Sequence, residues 1–453
     1  MTADGSSIPA APSADFALLD RLFDELFPIL RSITGPGLRR SLDILARHMP
    51  LAVTVVPTGT QVFDWEVPPE WHLKSARLTG PDGKVVADAA VSNLHVLNYS
   101  APVDTVLSLA ELAPHLHSLP ALPHAIPYVT SYYKRDWGFC ITDSARRALP
   151  AGNYRAVIDS AFVPGAVPVA ECVVPGESAA EILLTSYLCH PSLANNELSG
   201  PLVLLGLYRR IKAWPRRRYG YRFVVNPETI GSLCFLHLRA AHLRTHLAAG
   251  MVLTCVGGPD RLSYKMSRRG TSLLDRTVRA EADHRGIRIR DFDPTGGSDE
   301  RQYGSPGFNF PVGQMARSVY GEYDGYHNSL DDKDFMSIAA LVRSIDEIEG
   351  QLKTAEIAGA FRNLSPYGEP QLGRRGLYPT KNSAATWRSS NDSLVDARTL
   401  LNRLLTVLNY SDGHHTVVDI AARMGCRVED FRSVIEKLEG EGLLRLDPLA
   451  EVA

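Results

Sequence analysis

The strongest constraint on the fold is an alternation of buried-strand patterns with amphipathic helix patterns that starts at Glu181. Residues 182–189 form a nearly continuous apolar run of the buried-strand type, and residues 200–212 follow as a helix. The same order repeats with a strand at 221–226 and a helix at 231–242. Strands that alternate with helices in this way predict an α/β fold, in which a mainly parallel sheet is sandwiched by helices.

The rest of the chain divides into regions of different texture. One region consists of short β-type runs between Pro- and Gly-marked turns, and the C-terminal region has three helical patterns followed by a short strand. We predict a disordered leader at 1–13, an α/β core at 14–51 and 164–362, an inserted β-rich domain at 52–163, a linker or excursion at 363–391, and a winged helix-turn-helix at 392–453.

Composition excludes several classes of protein. The 453 residues include 48 basic and 50 acidic side chains, so the formal net charge of −2 gives no support for an obligate nucleic-acid or membrane partner. No segment reaches the roughly 18 apolar residues of a membrane helix, and the N-terminus lacks the pattern of a signal peptide. The six scattered cysteines form no CxxC pair, which argues against a thiolate zinc site. We expect a cytoplasmic protein.

Polar residues follow two of the predicted strands, at the sheet edge where α/β folds place their sites. His190 comes at the end of the first strand, and Asn196 and Glu197 lie just before the next helix. Glu228 follows the second strand directly. An imidazole with one or two oxygen ligands suits zinc, and Glu228 could ligate a metal or act as a general base. Packing or helix capping is the alternative interpretation of each motif.

Two later loops add candidates for the same site. Asp299 and Glu300 follow a flexible Gly-Gly turn, and they either begin a helix or face the site and meet a substrate ammonium group. His327 lies in the loop at 326–331 and would supply a second imidazole, with Tyr326 beside it as a candidate substrate contact.

The inserted region supplies a candidate pocket wall. Its segment at 130–139 mixes aromatic and charged side chains, and we expect it to close over the pocket. The alternative is that these aromatic residues form the core of a small β domain. The candidates for substrate contact are Tyr132, Tyr133, Lys134, Arg135 and Trp137.

The motifs at 187–201, 226–232, 297–303 and 326–331 together resemble those of co-catalytic zinc aminopeptidases. That fold is shared by glutamate carboxypeptidases and glutaminyl cyclases. More closely, the chain resembles a bacterial aminopeptidase-like family in which the peptidase core carries an inserted β domain and a C-terminal winged helix. The resemblance covers nearly the whole chain from residue 15 onward.

The resemblance implies that His190, Asn196, Glu228 and His327 are the metal ligands. Asn196 stands where the family has a metal-bridging aspartate, and a neutral amide bridges two cations poorly. Pro227 precedes Glu228 where the family has a pair of glutamates.

A third departure from the family pattern lies in the strand at 251–255. Thr254 or Cys255 stands where the family has an aspartate for the second metal. Together the departures remove negative charge from one metal site, so we expect one Zn²⁺ rather than two.

The activity implied by the resemblance is hydrolysis of peptide or amide bonds by a metal-activated water, with a small peptide or an amino-acid amide as substrate. Glu228 or Glu197 would move the proton, and Asp299 is a further catalytic candidate. Glu197, Asp299 or Glu300 would hold a free α-amino group. Two alternatives remain open: the same fold and metal used for cyclisation or acyl transfer in a biosynthetic pathway, and a non-catalytic binding or regulatory protein.

The winged helix would touch DNA in the regulatory alternative. Its third helix, at 428–438, carries Arg432 and Lys437 but also Glu429, Asp430 and Glu436. A helix that faces phosphates should be basic. We therefore expect no nucleic-acid partner, a packing or dimerisation role for the winged helix, and a homo-oligomer such as a dimer.

Overall fold

The computed structural model describes residues 14–378 and 397–449. The α-helices are α1 (Ala14–Leu26), α2 (Pro36–Ala46), α3 (Leu109–Leu112), α4 (Asp143–Arg147), α5 (Ser199–Lys212), α6 (Ile230–His246), α7 (Leu273–Arg285), α8 (Glu300–Tyr303), α9 (Ile338–Ala358), α10 (Ala397–Tyr410), α11 (Val417–Met424) and α12 (Arg432–Gly440). The strands are β1 (Ala52–Pro57), β2 (Gln61–Val62), β3 (Trp65–Glu66), β4 (Glu70–Thr79), β5 (Val85–Asp88), β6 (Val103–Ser108), β7 (Leu116–His117), β8 (Phe139–Cys140), β9 (Asn153–Val163), β10 (Ala166–Val174), β11 (Glu181–Tyr187), β12 (Gly220–Asn226), β13 (Leu247–Leu253), β14 (Ser263–Lys265), β15 (Arg288–Arg290), β16 (Val312–Ala316), β17 (Ala360–Asn363), β18 (Asp412–Thr416) and β19 (Leu444–Asp447).

An eight-stranded sheet forms the centre of the molecule, with the order β1-β10-β12-β11-β13-β16-β14-β15. Strands β12, β11, β13 and β16 run parallel to their neighbours in this central part, whereas β1, β10 and β14 join through antiparallel pairing. Every residue of β11 and β12 is buried, as expected for parallel strands that are covered on both faces. The α/β fold predicted from the alternation of elements is confirmed.

The two faces of the sheet belong to two hydrophobic clusters. Ile182 and Leu184 of β11 pack with α1, α2, α5, α7 and α9, whereas Leu183 packs with α6 and the inserted strands. Because side chains alternate along a strand, an unbroken apolar sequence is required to fill both sides. The carboxyl ends of the parallel strands stay open between these layers.

The inserted region contains a four-stranded antiparallel sheet in the order β5-β4-β9-β6. Strand β1 lies within the region predicted as the insertion, but it pairs with β10 at the edge of the large sheet. Strand β9 of the small sheet leads through a tight turn at residues 164–165 directly into β10 of the large sheet. The chain therefore leaves the large sheet after β1 and returns to it in the neighbouring strand β10.

The C-terminal unit is a winged helix with the three-stranded sheet β18-β17-β19 and helices α10, α11 and α12. Strand β17 follows α9 after a single glycine, so this sheet takes in residues 360–363 as well as the predicted range. The predicted leader at 1–13 and residues 379–391 of the predicted linker lie outside the described residues.

Charged contacts attach the winged helix to the core. Glu439 forms ion pairs of 2.6 Å with Arg216 and with Arg218, which is almost fully buried. Arg432 donates to the carbonyl oxygen of Lys353 at 2.7 Å. Within the two described ranges, no helix combines the length and apolar character needed to cross a membrane.

A close approach between α5 and the sheet gives the first testable prediction. A Cβ at Gly200 would overlap Oγ of Ser186 and the carbonyl oxygen of Leu253, which are themselves hydrogen-bonded at 2.8 Å. We expect Gly200→Ala to destabilise the core by about 1–3 kcal/mol through overpacking. Thermal unfolding followed by circular dichroism should show a melting temperature several degrees lower.

Gly440→Ala is the matched control for this substitution. Gly440 is also helical, but a Cβ there meets no atom within 4 Å among the described residues. It should leave the melting temperature unchanged or raise it slightly. Equal melting temperatures for the two variants would contradict the proposed close contact.

Candidate active site

Three predicted ligands meet at the carboxyl ends of the central strands. His190 comes three residues after β11, and Glu228 comes two residues after β12. Nε2 of His190 lies 3.6 Å from Oε2 of Glu228, and the ring centroids of His190 and His327 are 5.3 Å apart. The side chain of Glu228 is 28% exposed, so this edge of the sheet is accessible from outside.

The orientation of the His190 ring is set by Glu197. Residues Ala194–Leu198 form a π-helical turn before α5, and this turn brings the Glu197 carboxylate 2.5 Å from Nδ1 of His190. The other oxygen of Glu197 accepts the backbone N–H of Cys189. A carboxylate on one ring nitrogen fixes the imidazole and leaves the other nitrogen for a ligand. Glu197 therefore contacts the site through His190.

Arg31 compensates the buried charge of Glu197. This arginine comes from the connection between α1 and α2, and its side chain is fully buried. Its Nε lies 3.8 Å from Glu197 and donates to the carbonyl oxygen of His190 at 2.9 Å. A buried carboxylate needs such a partner to remain charged. The sequence patterns gave no signal for Arg31, because it lies in a loop about 160 residues before its partners.

Two buried ligand atoms lack partners within the described part of the chain. They are Oδ1 of Asn196 and Nε2 of His327. The amide nitrogen of Asn196 donates to the hydroxyl of Tyr187 at 3.0 Å, which orients the amide. Burial, assisted by the charge of His190, lowers the pKa of His327 to about 3, so the ring is neutral and keeps a lone pair for a metal. Because buried polar atoms are normally satisfied, these two atoms indicate a binding position.

Asp331 connects the His327 loop to the π-helical turn. Its carboxylate accepts the backbone N–H of Asn195 at 2.7 Å and that of Asn196 at 2.8 Å. Burial raises the pKa of Asp331 to about 7. The residue ends the sequence motif that contains His327, but its role as a bridge depends on tertiary contacts that the motif does not reveal.

Asp299 and Glu228 are neighbouring carboxyl groups in the candidate site. Oγ of Ser298 donates to Glu228 at 2.5 Å, and Asp299 accepts the backbone N–H of Thr229 at 2.7 Å. Burial and then the charge of Glu228 raise the pKa of Asp299 to about 8. The other oxygen of Asp299 is buried and has no hydrogen-bond partner among the described residues.

Glu300 is fully buried and is engaged by other residues of the protein. Its carboxylate pairs with Nζ of the buried Lys265 at 2.9 Å, and it accepts hydrogen bonds from Ser298 N–H and from Nε2 of Gln314 at 3.0 Å. These contacts support the loop that carries Ser298 and Asp299, and they occupy the Glu300 carboxylate within the protein.

The inserted domain reaches the site through Tyr128. The ring of Tyr128 lies 4.9 Å from that of His190 and 5.3 Å from that of His327, and its hydroxyl bonds to the hydroxyl of Tyr132. The backbone N–H of Tyr128 donates to the carbonyl oxygen of His327 at 2.8 Å. Tyr326 stacks on His327 with a centroid distance of 4.0 Å. In the sequence, nothing distinguishes Tyr128 from the other aromatic residues of the β-rich region.

The other predicted wall residues make their described contacts within the inserted domain. Tyr133 packs edge-on against Trp65, and Lys134 pairs with Asp136 at 3.2 Å. In the same domain, the guanidinium of Arg135 lies over the ring of Phe162, and Trp137 stacks on His115. Tyr132 bonds to Tyr128, which packs on the imidazoles, and the charge of the Cys189 thiolate would reach both Tyr132 and Tyr133.

Two sets of donors compete as a metal site. Ligand atoms of Cys189, His190 and Glu197 lie within 4.8 Å of one another. However, burial raises the pKa of the Cys189 thiol to about 11, and both Glu197 oxygens already accept hydrogen bonds. Two ligands on a tetrahedral zinc are about 3.4 Å apart. The 3.6 Å between His190 and Glu228 matches this spacing, and the buried Nε2 of His327 is left without a partner in the described ranges, so these three residues offer the free donor atoms even though their ligand atoms do not all lie within 4.8 Å of one another.

Comparison with known structures identifies the fold. The chain superimposes on the zinc aminopeptidase from Bacillus subtilis with a TM-score of 0.54 and 13% identity, covering 77% of this chain and 96% of that one. It also superimposes on a peptidase M28 precursor from Shewanella amazonensis with a TM-score of 0.54 and 12% identity, covering 76% and 93%. The fold is that of the zinc aminopeptidases, and the family resemblance predicted from the motifs is confirmed.

The family follows from closer relatives. Residues 20–358 match a family described as a domain of unknown function, DUF4910, and residues 359–446 match a winged helix-turn-helix family. The chain belongs to the DUF4910 family. A Clostridium acetobutylicum protein provisionally named for polysaccharide biosynthesis, with an aminopeptidase-like domain, is 39% identical and covers 94% of this chain and 95% of its own length. A crystal structure provisionally named as a peptidase from the same organism aligns with a TM-score of 0.82 and 38% identity over 95% and 96%.

The bridging role of Asp331 yields a prediction about metal affinity. Asp331→Asn replaces one acceptor oxygen with an N–H₂ group that faces a backbone donor, so the turn carrying Asn196 should shift. We expect zinc affinity to fall by about 10–100-fold, as for other groups that orient metal ligands. Competition with a chromogenic chelator measures this change.

Asp334→Asn is the control for charge loss in the same loop, because Asp334 is exposed. Its zinc affinity should equal that of the unmodified chain. Unchanged affinity in Asp331→Asn would show that the carboxylate does not support the metal position.

Proposed function

We propose that this protein is a zinc-dependent hydrolase of peptide or amide bonds that acts on a small peptide or an amino-acid amide. The observation that carries the proposal is the convergence of His190, Glu228 and His327 at one edge of the sheet, with Nε2 of His327 buried and unpartnered among the described residues. The shared fold with a zinc aminopeptidase supports it.

A single zinc ion is favoured by the charge of the ligands. His190, Glu228 and His327 would hold it, with Oδ1 of Asn196 as a neutral fourth donor. A second ion would need anionic ligands, but burial raises the pKa of the Cys255 thiol to about 12. When bound, zinc would polarise the carbonyl of the scissile bond and lower the pKa of a water molecule.

The residues around this position divide the remaining work. Glu197 keeps Nδ1 of His190 occupied, so the ring presents Nε2 to the site. Asp299 is the carboxyl group that we assign to move a proton, because it is held beside Glu228 by the backbone N–H of Thr229 and is not paired with a lysine or arginine of the described ranges. Tyr128 and Tyr132 cover the imidazoles and would exclude bulk water from the reacting bond.

A second candidate keeps the metal and changes the reaction. Cyclisation or acyl transfer in a biosynthetic pathway is favoured by the neutral Asn196 at the expected bridging position and by the provisional naming of the Clostridium acetobutylicum relative for polysaccharide biosynthesis. The two reactions differ in their products. Mass spectrometry of reactions in ¹⁸O-labelled water would show label in the acid product for hydrolysis and none for transfer to another acceptor.

The roles of Glu228 and Asp299 are separable by substitution. Asp299→Asn should lower kcat on an aminoacyl-anilide by about 10²–10⁴-fold and retain zinc, because a proton carrier is lost and the ligands remain. Glu228→Gln should lower the zinc content itself. Kinetics with metal analysis of the same preparations tests both.

Asp291→Asn serves as the control for loss of a nearby exposed carboxylate. It should behave as the unmodified protein. The hydrolase proposal would be overturned if no aminoacyl-anilide of a panel released its amino acid in a reaction that depends on added zinc.

The regulatory alternative makes a different prediction for the winged helix. Arg432 of the third helix donates to the core at Lys353, and Arg427 pairs with Glu281 at 2.9 Å, so both cations are engaged. We expect no salt-sensitive shift of duplex DNA in an electrophoretic mobility assay. A shift that disappears with rising salt would favour DNA binding.

A further inference from the structure

A cavity of about 690 Å³ opens directly beside the candidate active site. Its wall begins at Thr229, the residue after Glu228, and includes Trp65 from the inserted domain, Phe292, Arg268 and Arg301. This volume falls in the range of small-molecule sites. A group attached next to the cleaved bond would extend into this space.

The two arginines of the cavity bond to neutral acceptors and have no carboxylate partner within 4.0 Å in the described ranges. Nε of Arg301 donates to the carbonyl oxygen of Ser298 at 3.3 Å, and Arg268 donates one Nη to the amide oxygen of Asn309 at 3.1 Å. Neither forms an ion pair with another residue of the described ranges. By contrast, Arg222 is paired with two glutamates. Both cavity guanidiniums thus retain donors for an anion.

Ser298 links the cavity residue Arg301 to the candidate ligand Glu228 by two hydrogen bonds. Its carbonyl oxygen accepts from Arg301, while its hydroxyl donates to Glu228 at 2.5 Å. An anion held by Arg301 would therefore lie close to the group undergoing reaction.

We propose that this cavity is a specificity pocket for a carboxylate-bearing part of the substrate, with Arg268 and Arg301 as its anchors. Trp65 and Phe292 supply aromatic faces for the apolar portion of that group, and the guanidiniums bind its oxygens in charge-assisted hydrogen bonds. The inference rests on the proposed function, because it names the substrate class of the same site.

The test uses the zinc-loaded full-length chain and a pair of substrates that differ in charge but little in shape. L-glutamyl-p-nitroanilide should be cleaved with a kcat/KM at least about 10-fold above that of L-glutaminyl-p-nitroanilide, as one charge-assisted contact provides. Arg268→Gln and Arg301→Gln should each lower kcat/KM for the glutamyl substrate and leave kcat/KM for the glutaminyl substrate unchanged. Each substitution would thus remove most of the preference. Arg269→Gln, which removes a neighbouring exposed charge outside the cavity, should keep it.

A binding measurement separates this inference from the proposed reaction. Calorimetry with L-glutamate, L-glutamine and O-phospho-L-serine tests the pocket without turnover, and melting temperatures verify that the variants fold. Selective binding of an acidic ligand that both variants lose would sustain the pocket even if no anilide is cleaved, and tighter phosphoserine binding would assign the anion as phosphate. Equal binding of glutamate and glutamine, or a preference retained in both variants, would overturn it.

Discussion

The geometry of the candidate site depends on the contacts of the buried Glu197 carboxylate. It accepts hydrogen bonds from His190 and from the backbone of Cys189, and it lies beside Arg31. These contacts join the end of β11, the π-helical turn before α5 and the connection between the first two helices. Because a carboxylate in this position must be compensated, the loss of any one partner would disturb the other two. The orientation of the His190 imidazole therefore depends on all three of these segments.

The inserted domain completes the site. Its backbone at Ile126 and Tyr128 pairs with the loop at 327–329 through reciprocal hydrogen bonds. Since His327 has a positive φ of 57°, its conformation needs support from its surroundings, and this pairing supplies it. The insertion that interrupts the α/β core in sequence thus holds one of the proposed metal ligands in place.

The degree to which sequence predicts structure differs between the strands and the connections. The unbroken apolar run in β11 predicted a buried parallel strand, because both faces must be filled, and His190 and Glu228 followed from their places after strands. Arg31 and Tyr128 could not be predicted in the same way. One is a single arginine in a helix connection, and the other has the appearance of a core aromatic, so only the folded chain reveals their contacts.

Charge pairing separates the acidic residues of the site into two groups. Glu197 has Arg31, and Glu300 has Lys265, so both are compensated within the protein. Glu228 and Asp299 have no lysine or arginine partner within 4.0 Å in the described ranges, and burial raises the pKa of each. A cation held by Glu228 and neutral imidazole would stabilise that carboxylate in its charged form. His190 is the positively charged group nearest to Glu228 in the described ranges, and the proposed zinc ion would add counter-charge at this edge of the sheet.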